Sequence, residues 1–248
     1  MQNDSLLVLQ DVNLSFVNVE RAILQNINYQ LFRQDFVIVL GSNGSGKSSL
    51  IKVIKQQYPL SSGNLIFQGN LISQFDGNMQ QEIILLSQIM QESLFFELTV
   101  LENCILWDMQ TKNFASEKSS KSKKFFQEYL LDFNQKLADK IDVQTKKLSG
   151  GEKQALILGL CLLRKPKLLL LDEHTSALDP KTAEKIIMLT ARLINQHKLT
   201  CMMTTHNLEH AIKYGNKLIS LKDGCINYQV AGKEKQSLST MALLQHCY

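Results

Sequence analysis

No run of apolar residues in this chain approaches the length of a membrane span. The longest, Ala155 to Leu163, is about half of what a span needs and is flanked by charge. The N-terminus has no basic segment followed by an apolar one, so no secretory signal is expected. Any work at a membrane is therefore expected to pass through a partner. Long basic tracts are also missing, and aromatic residues are not interleaved with basic ones. That excludes the usual footprint of a nucleic-acid binder, and a net charge of +4 does not restore it. Paired cysteines are missing too. Cys104, Cys161, Cys201, Cys225 and Cys247 are odd in number, widely spaced and free of any Cys-x-x-Cys pair. A zinc site or a disulfide framework is not expected; reduced, buried thiols of a cytosolic protein are. No internal repeat is visible. What is present is a chain of 248 residues, 44% of them hydrophobic, enough for one large domain or one domain with an inserted lobe.

The first third reads as short strands: Leu6 to Gln10, Asn13 to Phe16, Ile27 to Phe32 and Asp35 to Leu40. A helix continues through Leu50 to Ile54, and a turn at Ser61-Ser62-Gly63-Asn64 leads into Leu65 to Phe67. Ile83 to Leu86 is another apolar strand. From about 89 to 147 helical signals take over, Thr99 to Met109 and Phe125 to Ala138, around a Lys- and Ser-rich stretch from Ser116 to Lys124. The reading is an inserted helical lobe; a plain solvated loop is the alternative for its polar part. Strand and helix then alternate as in parallel α/β units. Leu168 to Leu171 is a buried strand. Asp179 and Pro180 open a helix as N-cap and first helical residue. Thr200 to Thr205 is a strand and Leu208 to Tyr214 a short helix. Lys217 to Leu221 and Cys225 to Tyr228 form a hairpin across Asp223-Gly224.

Gly41-Ser42-Asn43-Gly44-Ser45-Gly46-Lys47-Ser48, with Ser49 behind it, fits G-x-x-x-x-G-K-[ST] between a strand and a helix. The glycines let backbone N–H groups wrap the phosphates of a nucleotide. Lys47 sets a positive charge against them, and the Ser48 hydroxyl is a Mg²⁺ ligand. Asp172 and Glu173 close an apolar strand, which puts carboxylates at its C-terminal edge. Asp172 is expected to hold Mg²⁺ through water, and Glu173 to orient or deprotonate the attacking water. Without the phosphate loop, two acids that merely close a strand would be the better account. Gln88 follows the Ile83 to Leu86 strand, where its amide could reach Mg²⁺ or the water. His206 follows the Thr200 to Thr205 strand, where its imidazole could donate to the γ-phosphate. Each alone is more often a surface glutamine or a capping histidine. Phe16 could stack on adenine or be a core phenylalanine. Leu148-Ser149-Gly150-Gly151-Glu152 opens the apolar helical run, and its backbone N–H groups suit a second anion. The chain already owns one phosphate loop, so the simplest second nucleotide is that of another copy.

The order of these motifs resembles the ATP-binding cassette ATPases over nearly the whole chain: phosphate loop, Gln88, Leu-Ser-Gly-Gly, Leu-Leu-Leu-Leu-Asp-Glu, Ser176-Ala177-Leu178-Asp179 and His206. The resemblance implies an α/β fold, a P-loop NTPase cassette. Its parallel or mixed core sheet and N-terminal antiparallel β subdomain would be built from 1–88 and 148–248, with an α-helical subdomain inserted over about 89–147. It implies ATP and Mg²⁺ as cofactors and a head-to-tail homodimer that traps two ATP. Ser149, Gly150, Gly151 and Glu152 of one copy would then face the nucleotide on the other's Lys47, with Asp179 at the seam. It also implies transmembrane permease subunits as partners, an extracytoplasmic solute-binding protein acting indirectly, and a place at the cytoplasmic face of the inner membrane. Asp172-Glu173-His174-Thr175 and Thr204-Thr205-His206-Asn207-Leu208-Glu209-His210 look like the ATPase component of bacterial tryptophan/tyrosine-type uptake systems, whose permeases are similar to those for branched-chain amino acids.

Three departures stand out. Glu152 replaces a usual glutamine, Gln34-Asp35 stands where a glycine often precedes the strand, and Ile89-Met90 replaces a more polar, proline-containing stretch. Two other readings compete with an importer subunit: a soluble cassette ATPase of translation or repair, and a regulatory subunit that does not hydrolyse. The first would call for two cassettes or long coiled coils; the second would fit the loss of Glu173 or His206. Export rather than import stays open.

Overall fold

The computed structural model describes residues 5–16, 21–72, 81–87, 94–109 and 122–247, with side chains described as far as 245. Gln88, Ile89, Met90, Cys247's side chain and most of the polar 116–124 stretch lie outside them. In chain order the elements are β1 (Ser5–Leu14), β2 (Leu24–Phe32), β3 (Phe36–Leu40), α1 (Lys47–Ile54), β4 (Ser62–Phe67), β5 (Asn70–Leu71) and β6 (Ile83–Leu86). The helices α2 (Val100–Met109), α3 (Lys123–Leu131), α4 (Gln135–Asp139) and α5 (Gly150–Leu163) follow. Then come β7 (Leu168–Asp172), α6 (Pro180–Gln196), β8 (Thr200–Thr205), α7 (Leu208–Lys213), β9 (Lys217–Lys222), β10 (Cys225–Ala231), α8 (Gly232–Gln236) and α9 (Thr240–Cys247). They divide into two compact units. One holds Met1–Leu85, Lys167–Glu173 and Ile194–Tyr248; the other holds Leu86–Pro166 and His174–Leu193.

The first unit carries both sheets. One is antiparallel, in the order β2-β1-β4-β5; the other runs β10-β9-β3-β8-β7-β6. In the second, β3 lies parallel to β8 and β9, β7 parallel to β8, and β10 antiparallel to β9. The three strands β3, β7 and β8 are buried at every residue. Their sequences are correspondingly near-continuous apolar runs, because a central parallel strand has no solvent face. Val37, Val39, Leu170 and Met202 of this sheet share one core with Leu7, Leu9, Leu31 and Phe67 of the other and with Leu50 and Ile54 of α1.

Two sequence expectations are corrected here. The separate strands 6–10 and 13–16 are one strand that ends at Leu14. A bulge lies between them: Asp11 is left-handed (φ 47°), and the register against β4 slips between Gln10 and Asn13. The extra residue interrupts the alternation, so one strand looks like two. Gly63 faces the bulge; a Cβ there would lie 2.3 Å from the Asp11 carbonyl oxygen. In the second unit, the single helix expected over Phe125 to Ala138 is α3 and α4. The break comes at Asn134, whose side chain accepts from the Lys136 amide as an N-cap.

The turn before β3 also has its answer. Gln34 takes the left-handed conformation (φ 64°) that glycine adopts without strain. Its amide donates to the Thr200 hydroxyl at 3.0 Å, and the buried Asp35 carboxylate accepts from the Phe32 amide and the Lys217 ammonium.

Candidate nucleotide site

Parallel register builds the site. Leu40 sits opposite Thr205, and Asp172 opposite Thr204. The chain therefore leaves β3, β7 and β8 at one edge, and the glycine loop, Glu173 and His206 meet there. Within the loop, Gly44 and Gly46 are left-handed (φ 81° and 106°), which lets the backbone turn into α1. Ser42, Asn43, Gly44 and Ser48 are exposed, Ser49 is half-buried, and Gly41, Ser45, Gly46 and Lys47 are buried.

Lys47 is 4% exposed. Its ammonium donates to the Gly41 and Ser42 carbonyls, both at 2.9 Å, and lies 3.6 Å from Glu173 Oε1. The Ser48 hydroxyl donates to Asp172 Oδ1 at 3.0 Å. Thr204 donates its hydroxyl to the same oxygen at 2.7 Å and accepts from the Glu173 amide at 3.0 Å. Thr204 thus ties both acids to β8. It is a site residue that motif reasoning passed over, although it stands two positions before His206. Glu173 is left-handed (φ 44°), a conformation that costs a non-glycine residue about 1–2 kcal/mol. It turns the carboxylate to where Oε1 lies 3.5 Å from His206 Nδ1.

The donor set suits a nucleotide with Mg²⁺. Ser48 and Asp172 supply one hydroxyl and one carboxylate, and Mg²⁺ commonly takes few protein ligands beside phosphate and water. Among the described residues no cluster of three or more His, Cys, Asp or Glu could hold an ion by itself. Ser45 Oγ is buried in the loop with no hydrogen-bond partner. A Cβ on Gly41 would come within 2.5 Å of it, so the loop has no room there for a side chain. The Asp223-Gly224 turn supports the loop from outside: the Gly224 amide donates to the Ser45 carbonyl at 3.1 Å.

Phe16 is not a core residue. It is 37% exposed and meets Tyr58 edge-on at 5.1 Å between ring centroids.

The Leu-Ser-Gly-Gly turn belongs to the second unit. Ser149 is the N-cap of α5. Its hydroxyl accepts from the Glu152 amide at 3.3 Å, and Glu152 Oε2 accepts from the Ser149 amide at 2.9 Å. This capping box sets the angle at which the chain enters the helix. Both Glu152 oxygens also accept from the Lys140 ammonium, at 2.7 and 2.9 Å. Burial pushes the Glu152 carboxyl upward, but Lys140 and the Ser149 amide outweigh it and hold the group below the usual carboxylate range. Gly150 and Gly151 abut the 174–193 segment. A Cβ on Gly150 would lie 3.0 Å from Leu178 Cδ2, and one on Gly151 2.6 Å from Thr182 Cγ2. Asp179 is exposed and caps α6 by accepting from the Thr182 amide at 3.1 Å; Thr182 holds its carboxyl below the ordinary value. His174 is buried. Thr190 spends its hydroxyl proton on the Ile186 carbonyl, so His174 Nε2 donates to Thr190 Oγ1, at 3.2 Å.

Known proteins resemble this chain in sequence and in fold. Residues 24–176 match the family model described as ABC transporter. The tyrosine transport ATP-binding protein of Clostridioides difficile (strain R20291) is 34% identical over 97% of this chain and 98% of its own length. The glutamine transport ATP-binding protein GlnQ of Escherichia coli (strain K12) is 30% identical over 94% and 99%. Among solved structures, the ATP-binding cassette MJ0796, a dimer in a post-hydrolysis state bound to ADP and Pi, superposes with a TM-score of 0.74. It is 26% identical and covers 91% of this chain and 98% of its own.

Proposed function

This chain belongs to the ABC transporter family, and from that premise we propose that it is the ATP-hydrolysing subunit of a bacterial solute importer. The observation that carries the reading is the gathering of Lys47, Ser48, Asp172, Glu173 and His206 at one sheet edge. Lys47 and the loop amides hold the phosphates. Ser48 and Asp172 would hold Mg²⁺, which when bound offsets charge on the β- and γ-phosphates. Glu173 takes the proton of the water that attacks the γ-phosphorus, and ADP leaves as the bond to the β-phosphate oxygen breaks. His206 orients Glu173 and donates to the γ-phosphate. Gln88 approaches the metal or the water, and Phe16 offers its exposed face to adenine.

Two copies close head to tail, so that Ser149 to Gly151 of each face the ATP of the other and Asp179 lies at the seam. Residues about 89–147 serve as the helical subdomain on which a permease subunit docks. Among the described residues no helix is long and apolar enough to cross a membrane, so the chain would work at the cytoplasmic face through that permease. An exported solute-binding protein would deliver the solute, and the relatives named for tyrosine and glutamine support an amino acid as the class.

Glu173→Gln tests the site. Loss of a general base costs about 10²–10⁴-fold in rate. Steady-state turnover should fall by that factor while ATP still binds; a variant that keeps most of its hydrolysis removes Glu173 from the role. Recovery of a many-span protein with the tagged chain from solubilised membranes supports the importer. A chain found alone in the soluble fraction favours a soluble ATPase.

A further inference from the structure

Glu152 sets an electrostatic problem. It stands at the third residue of a helix whose first turn, in the function proposed above, presents backbone amides to a γ-phosphate. A carboxylate there stabilises the helix start but opposes the approach of a polyanion. The side chain is 10% exposed, so water screens it poorly. Lys140 answers this charge. It is the C-cap of α4, and its ammonium bridges both Glu152 oxygens at 2.7 and 2.9 Å. The same carboxylate then holds the Ser149 amide at 2.9 Å. Charge-assisted bonds of this kind are short and directional. The carboxylate therefore serves the capping box while Lys140 offsets its charge.

We infer that Lys140 is a positioning residue of the Leu-Ser-Gly-Gly turn, which neutralises Glu152 so that the turn can receive the triphosphate held by a second copy. A glutamine at 152 would carry no charge to offset. The inference rests on the head-to-tail reading.

The test uses the full chain in the Glu173→Gln background with ATP, and measures dimerisation by sedimentation. Lys140→Met should weaken the ATP-driven dimer about ten- to hundredfold, the scale of one charged hydrogen bond. Adding Glu152→Gln to Lys140→Met should restore it to within about threefold, since the unpaired charge is gone. Lys140→Arg should dimerise like its parent. A merely structural tie between α4 and α5 predicts the opposite of the rescue: the double variant would be as weak as Lys140→Met, and that result overturns the inference. Unchanged dimerisation in Lys140→Met overturns it as well. If the Glu173→Gln parent stays monomeric with ATP, the head-to-tail reading itself falls and takes this inference with it.

Discussion

At the scale of single residues, the site depends on backbone conformations that few side chains adopt. Gln34 and Glu173 are both left-handed, with φ of 64° and 44°. For Glu173 the strain sets a carboxylate oxygen 3.6 Å from the Lys47 ammonium and 3.5 Å from His206 Nδ1. Gln34 shows no such return, because its amide would still reach Thr200 from a glycine. Gln34→Gly should therefore stabilise the fold by about 0.5–1 kcal/mol, the relief of a left-handed side chain less the added freedom of the unfolded chain. Chemical denaturation should show a higher midpoint at an unchanged slope; a lower midpoint would mean that the Gln34 side chain holds more than is visible. The identities of Lys47, Ser48, Asp172 and Glu173 were legible because each is fixed by spacing from a glycine loop or a strand end. Thr204 and Lys140 were not. A hydroxyl that accepts one amide and serves one carboxylate, or a lysine twelve positions before its partner, has no sequence period to announce it.

At the scale of elements, α5 shows how a motif serves two needs at once. The glycines were legible as a turn that exposes amides. Their second constraint needed the fold: the 174–193 segment leaves no space for a methyl group on Gly151. Gly151→Ala should cost about 1–3 kcal/mol of stability through overpacking, even without nucleotide. Trimming the obstacle should return part of that loss, so Gly151→Ala with Thr182→Ser should melt above Gly151→Ala alone. Equal melting temperatures would show that the clash is absorbed elsewhere. Apolar period and capping residues located most helices and strands within a few positions. They failed at Asp11 and Asn134 for related reasons. A bulge shifts the phase of an alternating pattern, and an asparagine inside a helical run is indistinguishable from a solvent-facing residue until its side chain caps a new turn.

At the scale of the whole molecule, one buried cation gives stability a pH dependence. Lys235 is 2% exposed and donates to the Ile212 and Tyr214 carbonyls at 2.9 and 2.8 Å, where α7 ends. Burial lowers its pKa from 10.5 to about 8. Between those values the unfolded chain holds a proton on this lysine that the folded chain has released, so the contribution of Lys235 to stability rises with pH across this window. The contribution is at most about 3 kcal/mol. The buried Cys104, Cys161 and Cys201 thiols, whose ordinary pKa of 9.0 burial raises, act in the opposite sense from about pH 9, and the half-buried Tyr29 and Tyr129 phenols, also raised by desolvation, do so above about pH 10. Melting curves from pH 8 to 10 should show the parent chain gaining stability relative to Lys235→Met as pH rises; parallel curves would discount Lys235. The expectation of a helical lobe over about 89–147 rested only on a change from strand to helix signals, because long-range register is written in no local window. That register also governs the birth of the chain. Strand β3 lies between β8 and β9, so both its neighbours come from the last fifth of the sequence. At about 5–20 residues per second, roughly 10–40 s pass between the synthesis of Phe36-Val37-Ile38-Val39-Leu40 and that of the second of them. Until β8 is made, the nascent chain carries an apolar strand with both edges unpaired, a segment open to pairing with another chain.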